Sequence, residues 1–294
     1  MAKGRQSLVD RGFEVLVTII VTIIALTCIL PILNIFSLSL SSARAVNSNE
    51  VTFLPVDFTL DAYESVFTNG ALLRSMWYTI KATLLYVSIS MFMTILCAYP
   101  LSHRDLVGRK PLWVFVLFTM YFAGGMIPSY LLVNDLGLIN TMWSLVLPGM
   151  VSTYNMILMR TFFSSIPAEM KEAAYIDGAN DADILWQVVL PLSKAMLATI
   201  ALFYAVSRWN AVTDGMLYIS EPSKYILQVR LKNIILSAAG LNELMSEGAN
   251  VGLTIQPLQI RSAALVFSLL PVLVVYPFLQ KYFVRGVMIG AVKG

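Results

Sequence analysis

Charge is scarce in this chain. Asp, Glu, Lys and Arg make up 13% of its 294 residues, against 58% hydrophobic residues. A water-soluble domain usually holds about 25% charged and about 45–50% apolar residues. The composition therefore excludes an ordinary soluble globule, and equally a disordered chain, which is charge-rich and apolar-poor. His103 is the only histidine, so H-E-x-x-H zinc chemistry and His-rich ligand sets are excluded. The only cysteines, Cys28 and Cys97, both lie in apolar runs and provide neither a disulfide framework nor a zinc site. A net charge of +3 with dispersed basic residues offers no nucleic-acid surface. No G-x-x-x-x-G-K-[ST] phosphate loop occurs, so the chain has no nucleotide site of that kind. What remains is an all-α membrane protein that crosses the bilayer several times.

About 20 apolar residues span the hydrocarbon core. Runs free of Asp, Glu, Lys and Arg occur at Val15–Ile35, Ala82–Leu101, Leu112–Val133, Leu136–Met159 and Ser262–Gln280. A weaker sixth run, Val188–Trp209, is interrupted by Lys194 and Arg208, whose long stems can snorkel to opposite interfaces. The expectation is six transmembrane helices at about 13–36, 75–101, 112–133, 136–160, 188–209 and 262–281. They form one transmembrane domain over 1–294, with a cytoplasmic loop at 165–187 and a long outside loop at 210–261. The first run is too long for the apolar core of a typical signal peptide, so it is read as a retained helix. Prolines inside the runs (Pro31, Pro100, Pro128, Pro148, Pro271 and Pro277) are expected to kink helices.

With the N-terminus inside, Lys and Arg are about twice as dense in the inside segments as in the outside ones. Both termini are therefore expected in the cytoplasm. No acidic residue falls inside a clear span, whereas ion-coupled carriers and intramembrane proteases place Asp, Glu or His there.

The most informative stretch is Ser165–Asp181. Pro167 suits a first helical turn, Glu169 and Glu172 favour the positive end of the dipole, and Gly178 can adopt the left-handed conformation that stops a helix. Met170, Ala173, Ala174 and Asp177 are expected on one side, with the small Ala side chains admitting another surface. Asp181 is expected to cap a second short helix, Ala182–Gln187. Glu172-Ala173-Ala174, then Gly178, then Val188-Val189-Leu190-Pro191 resembles the EAA loop of ABC-importer permeases. The extended form Glu-Ala-Ala-x-x-Asp-Gly-Ala runs from Glu172 to Ala179. Ala195 replaces a proline frequent in that family, from which a straighter approach to the membrane is expected. The segment Tyr282–Gly294 resembles the C-terminal tail of the smaller permease in carbohydrate importers of the maltose type. Gly124–Pro128 and the residues leading to Arg160 look like the complex-oligosaccharide branch.

The resemblance covers essentially the whole chain and implies the type I ABC importer permease fold: six transmembrane helices with a cytoplasmic coupling helix. It implies a transport subunit, not an enzyme, in a bacterial plasma membrane. The implied partners are a second homologous permease forming a heterodimer, two ATPase subunits that bind ATP and Mg, an extracytoplasmic sugar-binding protein, and an oligosaccharide substrate. This chain itself would bind no cofactor. ATPase coupling would rest on Glu172, Ala173, Ala174, Asp177 and Gly178, with tail contacts from Gly290, Lys293 and Gly294. Aromatic and amide residues near span ends (Tyr121, Tyr154, Asn155, Trp209 and Asn210) are the candidates for a sugar path. The other readings are a permease for a non-sugar solute and a secondary carrier or channel.

The orientation is tested by fusing a reporter active only outside the cytoplasm after Gly294. The expected result is no activity; strong activity would overturn the assignment of both termini to the cytoplasm.

Overall fold

The computed structural model describes residues 8–68, 70–237 and 256–291, with side chains described for 12–68, 70–237 and 256–275. Among these residues every regular element is helical. In chain order they are α1 (Leu8–Ser39), α2 (Ala43–Asn47), α3 (Asp61–Thr68), α4 (Gly70–Ser102), α5 (Arg109–Tyr121), α6 (Met126–Asp135), α7 (Trp143–Val146), α8 (Thr153–Ser165), α9 (Ala168–Ile176), α10 (Asp181–Ile184), α11 (Leu190–Leu192), α12 (Lys194–Trp209), α13 (Val212–Tyr218), α14 (Leu227–Leu236) and α15 (Pro257–Ala291). A π-helical turn, Leu185–Val189, joins α10 to α11, and a 3-10 turn, Pro222–Lys224, precedes α14.

The helices long and apolar enough to cross a bilayer are Gly12–Ser39, Gly70–Ser102 and Pro257–Val275. Two bent pairs raise the count to five if each is one span: Arg109–Tyr121 with Met126–Asp135, bent by 108°, and Asp181–Leu192 with Lys194–Trp209, bent by 83°. Three expectations need correcting. The run 112–133 is not one helix: α5 ends before the Gly124-Gly125 pair, where Gly125 takes a positive φ of 90°, and Pro128 sits in the first turn of α6, where a missing N–H costs little. The run 136–160 is not one helix either. Gly137, Asn140 and Gly149 all have positive φ, leaving α7, a break across Leu147–Ser152, and α8. Run length measures apolarity, and these left-handed residues end a helix at any apolarity.

The approach to α12 is also bent, against the straighter approach expected from Ala195. Pro191 lacks an N–H, the preceding turn widens to π geometry, and the chain breaks at Ser193. The Ser193 hydroxyl donates to the Val189 carbonyl at 2.6 Å, meeting an acceptor at the break. In contrast, α1 and α4 run on through Pro31 and Pro100.

The chain divides into two compact units. One comprises the described residues of Met1–Leu72 and Asn233–Leu270. Within it, α1 is exposed from Gly12 to Leu33, and its Thr18, Thr22 and Thr27 hydroxyls donate to carbonyls one turn back. A helix apolar on every side belongs in hydrocarbon or against another apolar surface. Past Leu33 the pattern changes: Ser37, Ser39 and Ser41 are buried, Ser39 bonds the Tyr63 hydroxyl at 2.7 Å, and the Gln259 amide donates to the Ser41 carbonyl.

The second unit comprises the described residues of Leu73–Lys232 and Pro271–Gly294. Its main core packs Tyr86, Ala98 and Tyr99 of α4 against Met156, Met159 and Phe163 of α8 and Ile200 and Tyr204 of α12. A smaller cluster sets Ile219, Ile226 and Val229 against Ala82 and Leu145. The first part of the long loop, 211–237, is thus folded as α13, the 3-10 turn and α14. The segment 238–255 lies outside the described residues.

Gly215 in α13 is required by space. A Cβ there would lie 2.6 Å from the Ile226 Cδ1 and 2.8 Å from the Val229 Cγ2. Gly215→Ala gains about 1 kcal/mol of helix propensity and loses about 1–3 kcal/mol to overpacking. The expected outcome is a lower unfolding midpoint in detergent, and a lower one still for Gly215→Val. Unchanged midpoints for both would contradict this packing.

Candidate functional site

Two places in the second unit bring functional residue types together. The first is the surface helix α9. Pro167 is extended (φ −53°, ψ 136°) at its N-cap, and Asp177 closes the other end. Gly178 has φ 84°, its N–H donates to the Tyr175 carbonyl at 3.0 Å, and the Ala179 N–H donates to the Ala174 carbonyl at 3.0 Å. This is a Schellman stop. A Cβ at Gly178 would meet nothing within 4 Å, so the demand for glycine there is conformational.

The helix has two faces, and they differ from the expected division. Ala174 packs on the main core, and half-buried Lys171 donates to the Phe163 carbonyl at 3.4 Å. Burial pulls the Lys171 ammonium below its ordinary range. Glu169, Glu172, Ala173 and Ile176 follow the i, i+3, i+4, i+7 spacing of one face, and all four are exposed, Ile176 by 86%. Met170 and Asp177 are exposed beside them. The Ala pair is therefore split: Ala174 attaches the helix and Ala173 is presented outward.

Asp181 anchors this helix from below. The Tyr99 hydroxyl of α4 donates to its carbonyl at 3.1 Å, and the Tyr175 hydroxyl of α9 donates to its carboxylate. That bond, together with burial, raises the Tyr175 hydroxyl above its ordinary range. The expected capping role passes to Asn180, which forms a reciprocal capping box with Asp183 at the start of α10.

The second place is a cavity of about 330 Å³ lined by Tyr86, Ser152, Tyr154, Asn155, Phe203, Tyr204 and Ser207. The break before α8 opens it. There the Tyr86 hydroxyl donates to the Gly149 carbonyl at 2.8 Å, and the Ser152 N–H donates to the Tyr204 hydroxyl at 3.0 Å. Tyr204 in turn bonds Thr94 at 2.7 Å. Aromatic faces beside an amide and hydroxyls can hold the apolar and polar sides of a sugar ring.

Of the sequence candidates for a path, Tyr154 and Asn155 line this cavity, and Asn155 is buried. Tyr121, at the end of α5, is 86% exposed and does not line it. Trp209 and Asn210 end α12 outside its wall. Sequence reasoning missed Tyr86, Ser152, Phe203, Tyr204 and Ser207. A signal for one of them was available: Ile200, Tyr204 and Arg208 recur at i, i+4, i+8, placing polar groups on an apolar stripe. In the tail, Gly290 falls near the end of α15, while Lys293 and Gly294 lie outside the described residues.

Comparison with known proteins gives these surfaces a context. Residues 1–289 match the family described as binding-protein-dependent transport system inner membrane component. The polygalacturonan/rhamnogalacturonan transport system permease protein YtcP of Bacillus subtilis (strain 168) is 40% identical over 285 residues, covering 97% of this chain and 99% of that one. Protein LplC of the same organism is 41% identical over 268 residues, 90% of each chain. Among solved structures, a crystal structure of a bacterial ABC transporter involved in the import of the acidic polysaccharide alginate contains a chain of 37% identity. It superimposes with a TM-score of 0.88, covering 96% of this chain and 100% of that one. The chain belongs to the binding-protein-dependent transport system inner membrane component family, and is a transport permease component rather than an enzyme.

Proposed function

We propose that the chain is one permease of an ATP-driven importer that carries an oligosaccharide into the cytoplasm, working beside a second, homologous permease. The observation that carries this reading furthest is α9: a short helix with an outward face of Glu169, Glu172, Ala173 and Ile176, locked to α4 through Asp181. A surface helix fixed this firmly transmits displacement instead of absorbing it. Two ATPase subunits would dock on that face, with Glu172 meeting a basic group and Ile176 filling an apolar pocket. Asp177 and Gly178 would bound the contact, and Gly290, Lys293 and Gly294 would add to it from the tail. ATP and Mg would sit on those subunits. The orientation that brings α9 to them puts both termini in the cytoplasm of a bacterial cell, with an extracytoplasmic sugar-binding protein on the opposite side.

The connection from docking face to cavity is a single helix. Tyr154 and Asn155 stand in the first turn of α8, and its last residue, Ser165, lies just before Pro167. Its 13 residues measure about 20 Å along the axis. When ATP draws two ATPase subunits together, α9 would move with them, and α8 would carry that movement to the cavity wall. The π turn at Leu185–Val189 and the break at Ser193 supply a joint between α9 and α12. The permease is then a two-state mechanical element, and phosphoryl transfer occurs elsewhere. An oligosaccharide as cargo is supported by the aromatic, amide and hydroxyl lining of the cavity and by the sugar polymers in the descriptions of the relatives.

Glu172→Ala is expected to remove a charge-assisted contact worth about 1.5–3 kcal/mol to docking. Gly178→Val forces a β-branched residue into the left-handed region at a cost of about 1–3 kcal/mol, so the end of α9 should unwind. Both variants should insert normally. Pull-down of the ATPase and sugar uptake, at equal permease content, should fall for both and further for Gly178→Val. Wild-type docking and uptake in both would reduce α9 to a connecting helix.

A further inference from the structure

The start of α5 collects positive charge that little in the chain offsets. Arg104 lies in the loop before it, Arg109 and Lys110 are its first two residues, and Arg160 of α8 meets it from the side. The Arg160 guanidinium lies 4.8 Å from the centre of the Trp113 ring, and Trp113 packs on the main core. Arg109 precedes Trp113 by one turn on the same face of α5, which brings its charge to the side that Arg160 occupies. The two arginines act on each other as unfavourable neighbours. The Arg160 Nε donates to the Leu101 carbonyl at 3.2 Å, and among the described residues the two terminal nitrogens of its fork have no acceptor. Asp105 is the only acidic residue between Glu64 and Asp135, and α5 has none in its first turn. Among the described residues none of these four basic groups makes an ion pair.

The flank beside these charges is apolar and uncovered. Lys110, Val114 and Phe118 recur at i, i+4 and i+8 along α5, and all three are exposed. Val107, in the turn before the helix, is 93% exposed. A cluster of cations thus stands at the head of an apolar ridge. A guanidinium fork matches a phosphate through parallel N–H···O bonds, and basic pockets between membrane helices hold anionic headgroups. A phospholipid supplies both the anion and the chains to cover the ridge. A free phosphate would leave Val114 and Phe118 bare, and an acidic protein surface would set polar groups against them. A zwitterionic headgroup carries an ammonium of its own, which the cluster would repel. The charge pattern therefore fits a headgroup whose phosphate has no compensating cation.

We propose that Arg109, Lys110 and Arg160 form a site for one anionic phospholipid of the phosphatidylglycerol kind, its phosphate bridging α5 to α8 and its acyl chains lying along Val114 and Phe118. The phosphate would sit between the two arginines and turn their repulsion into a shared attraction. Trp113 holds the Arg160 guanidinium in place for it. The lipid would then tie α5 to the helix that leads from the cavity towards α9. The site depends neither on the cargo nor on where the ATPase docks, so it stands or falls apart from the importer reading.

The test uses the purified complex of both permeases and the ATPases in a neutral detergent. Binding of radiolabelled dioleoylphosphatidylglycerol and dioleoylphosphatidylcholine is measured to saturation. Sites on the other subunits cancel in the difference between the wild type and variants of this chain. Between the wild type and the double variant Arg109→Gln with Lys110→Gln, that difference is expected to be about one phosphatidylglycerol per complex and no phosphatidylcholine. Arg109→Gln alone and Arg160→Gln alone should each weaken this binding by about fivefold, the worth of one basic residue near an anionic headgroup. Lys81→Gln, an exposed lysine elsewhere on α4, should leave it unchanged. Phosphatidylglycerol should also raise the unfolding midpoint of the wild type more than that of Arg109→Gln, since a ligand stabilises the state that binds it. If Arg160→Gln does not assemble, Arg109→Gln decides by the same criteria. Equal binding of both lipids, or unchanged phosphatidylglycerol binding in the double variant, overturns the proposal. Displacement of the lipid by an equal concentration of inorganic phosphate overturns it in favour of a free-anion site. Loss of the second permease or the ATPase from the double variant, with phosphatidylglycerol binding retained, overturns it in favour of a protein contact.

Discussion

A backbone N–H or carbonyl buried away from water needs a partner, so wherever a helix breaks inside the fold the protein must supply one. The break across Leu147–Ser152 shows the consequence. Tyr86 reaches from α4 to the Gly149 carbonyl, and Tyr204 reaches from α12 to the Ser152 N–H. Two tyrosines from two different helices thus satisfy backbone groups in the break between α7 and α8. That requirement draws α4, α8 and α12 together at one level and leaves the cavity among them. The same two rings pack edge to face at 5.8 Å, and Arg208 stacks on one of them. Irregular backbone is tolerated where its polar groups find partners in the protein, as the two tyrosines provide here.

From this level α8 leads directly to the surface helix. At its far end the logic is repeated with different groups. A polar backbone terminus is satisfied by the Schellman stop at Gly178, and the next helix begins with the Asn180–Asp183 capping box. Asp181 receives one hydroxyl from α4 and another from α9. The cavity and the outward face of α9 are therefore joined by hydrogen-bonded elements at both ends of one helix. Close-packed protein interiors transmit strain.

The sequence made some of this legible and concealed the rest for physical reasons. Continuous apolarity located α1 and α4 well, because nothing in those runs opposes a helix strongly enough to end it, Pro31 and Pro100 included. It misled over 112–133 and 136–160, where Gly125, Gly137, Asn140 and Gly149 decide the conformation while hardly altering the apolarity of the run. The left-handed role of Gly178 was readable from its position after a helical pattern. The partial burial of Ala174 and exposure of Ala173 were not, since two adjacent alanines look alike until the core beneath one of them is known. Tyr154 and Asn155 could be selected as an aromatic–amide pair. Tyr86 and Phe203 could not be, because aromatic residues in apolar runs read as core. Arg208 looked like the polar end of a span, and only its burial against Tyr86 distinguishes it from a snorkelling side chain.

The central claim is that α9 is where energy from a separate ATPase enters this permease, and position-specific cross-linking tests it most directly. The thiols Cys28 and Cys97 are replaced by serine, Glu172→Cys is introduced, and a maleimide-linked photo-cross-linker is attached in the assembled complex. Leu54→Cys serves as the control, an exposed position in the loop between α2 and α3. The account predicts a covalent adduct between the position-172 probe and the ATPase subunit, and none from position 54. Failure to capture the ATPase from position 172, or equal capture from both positions, would contradict it.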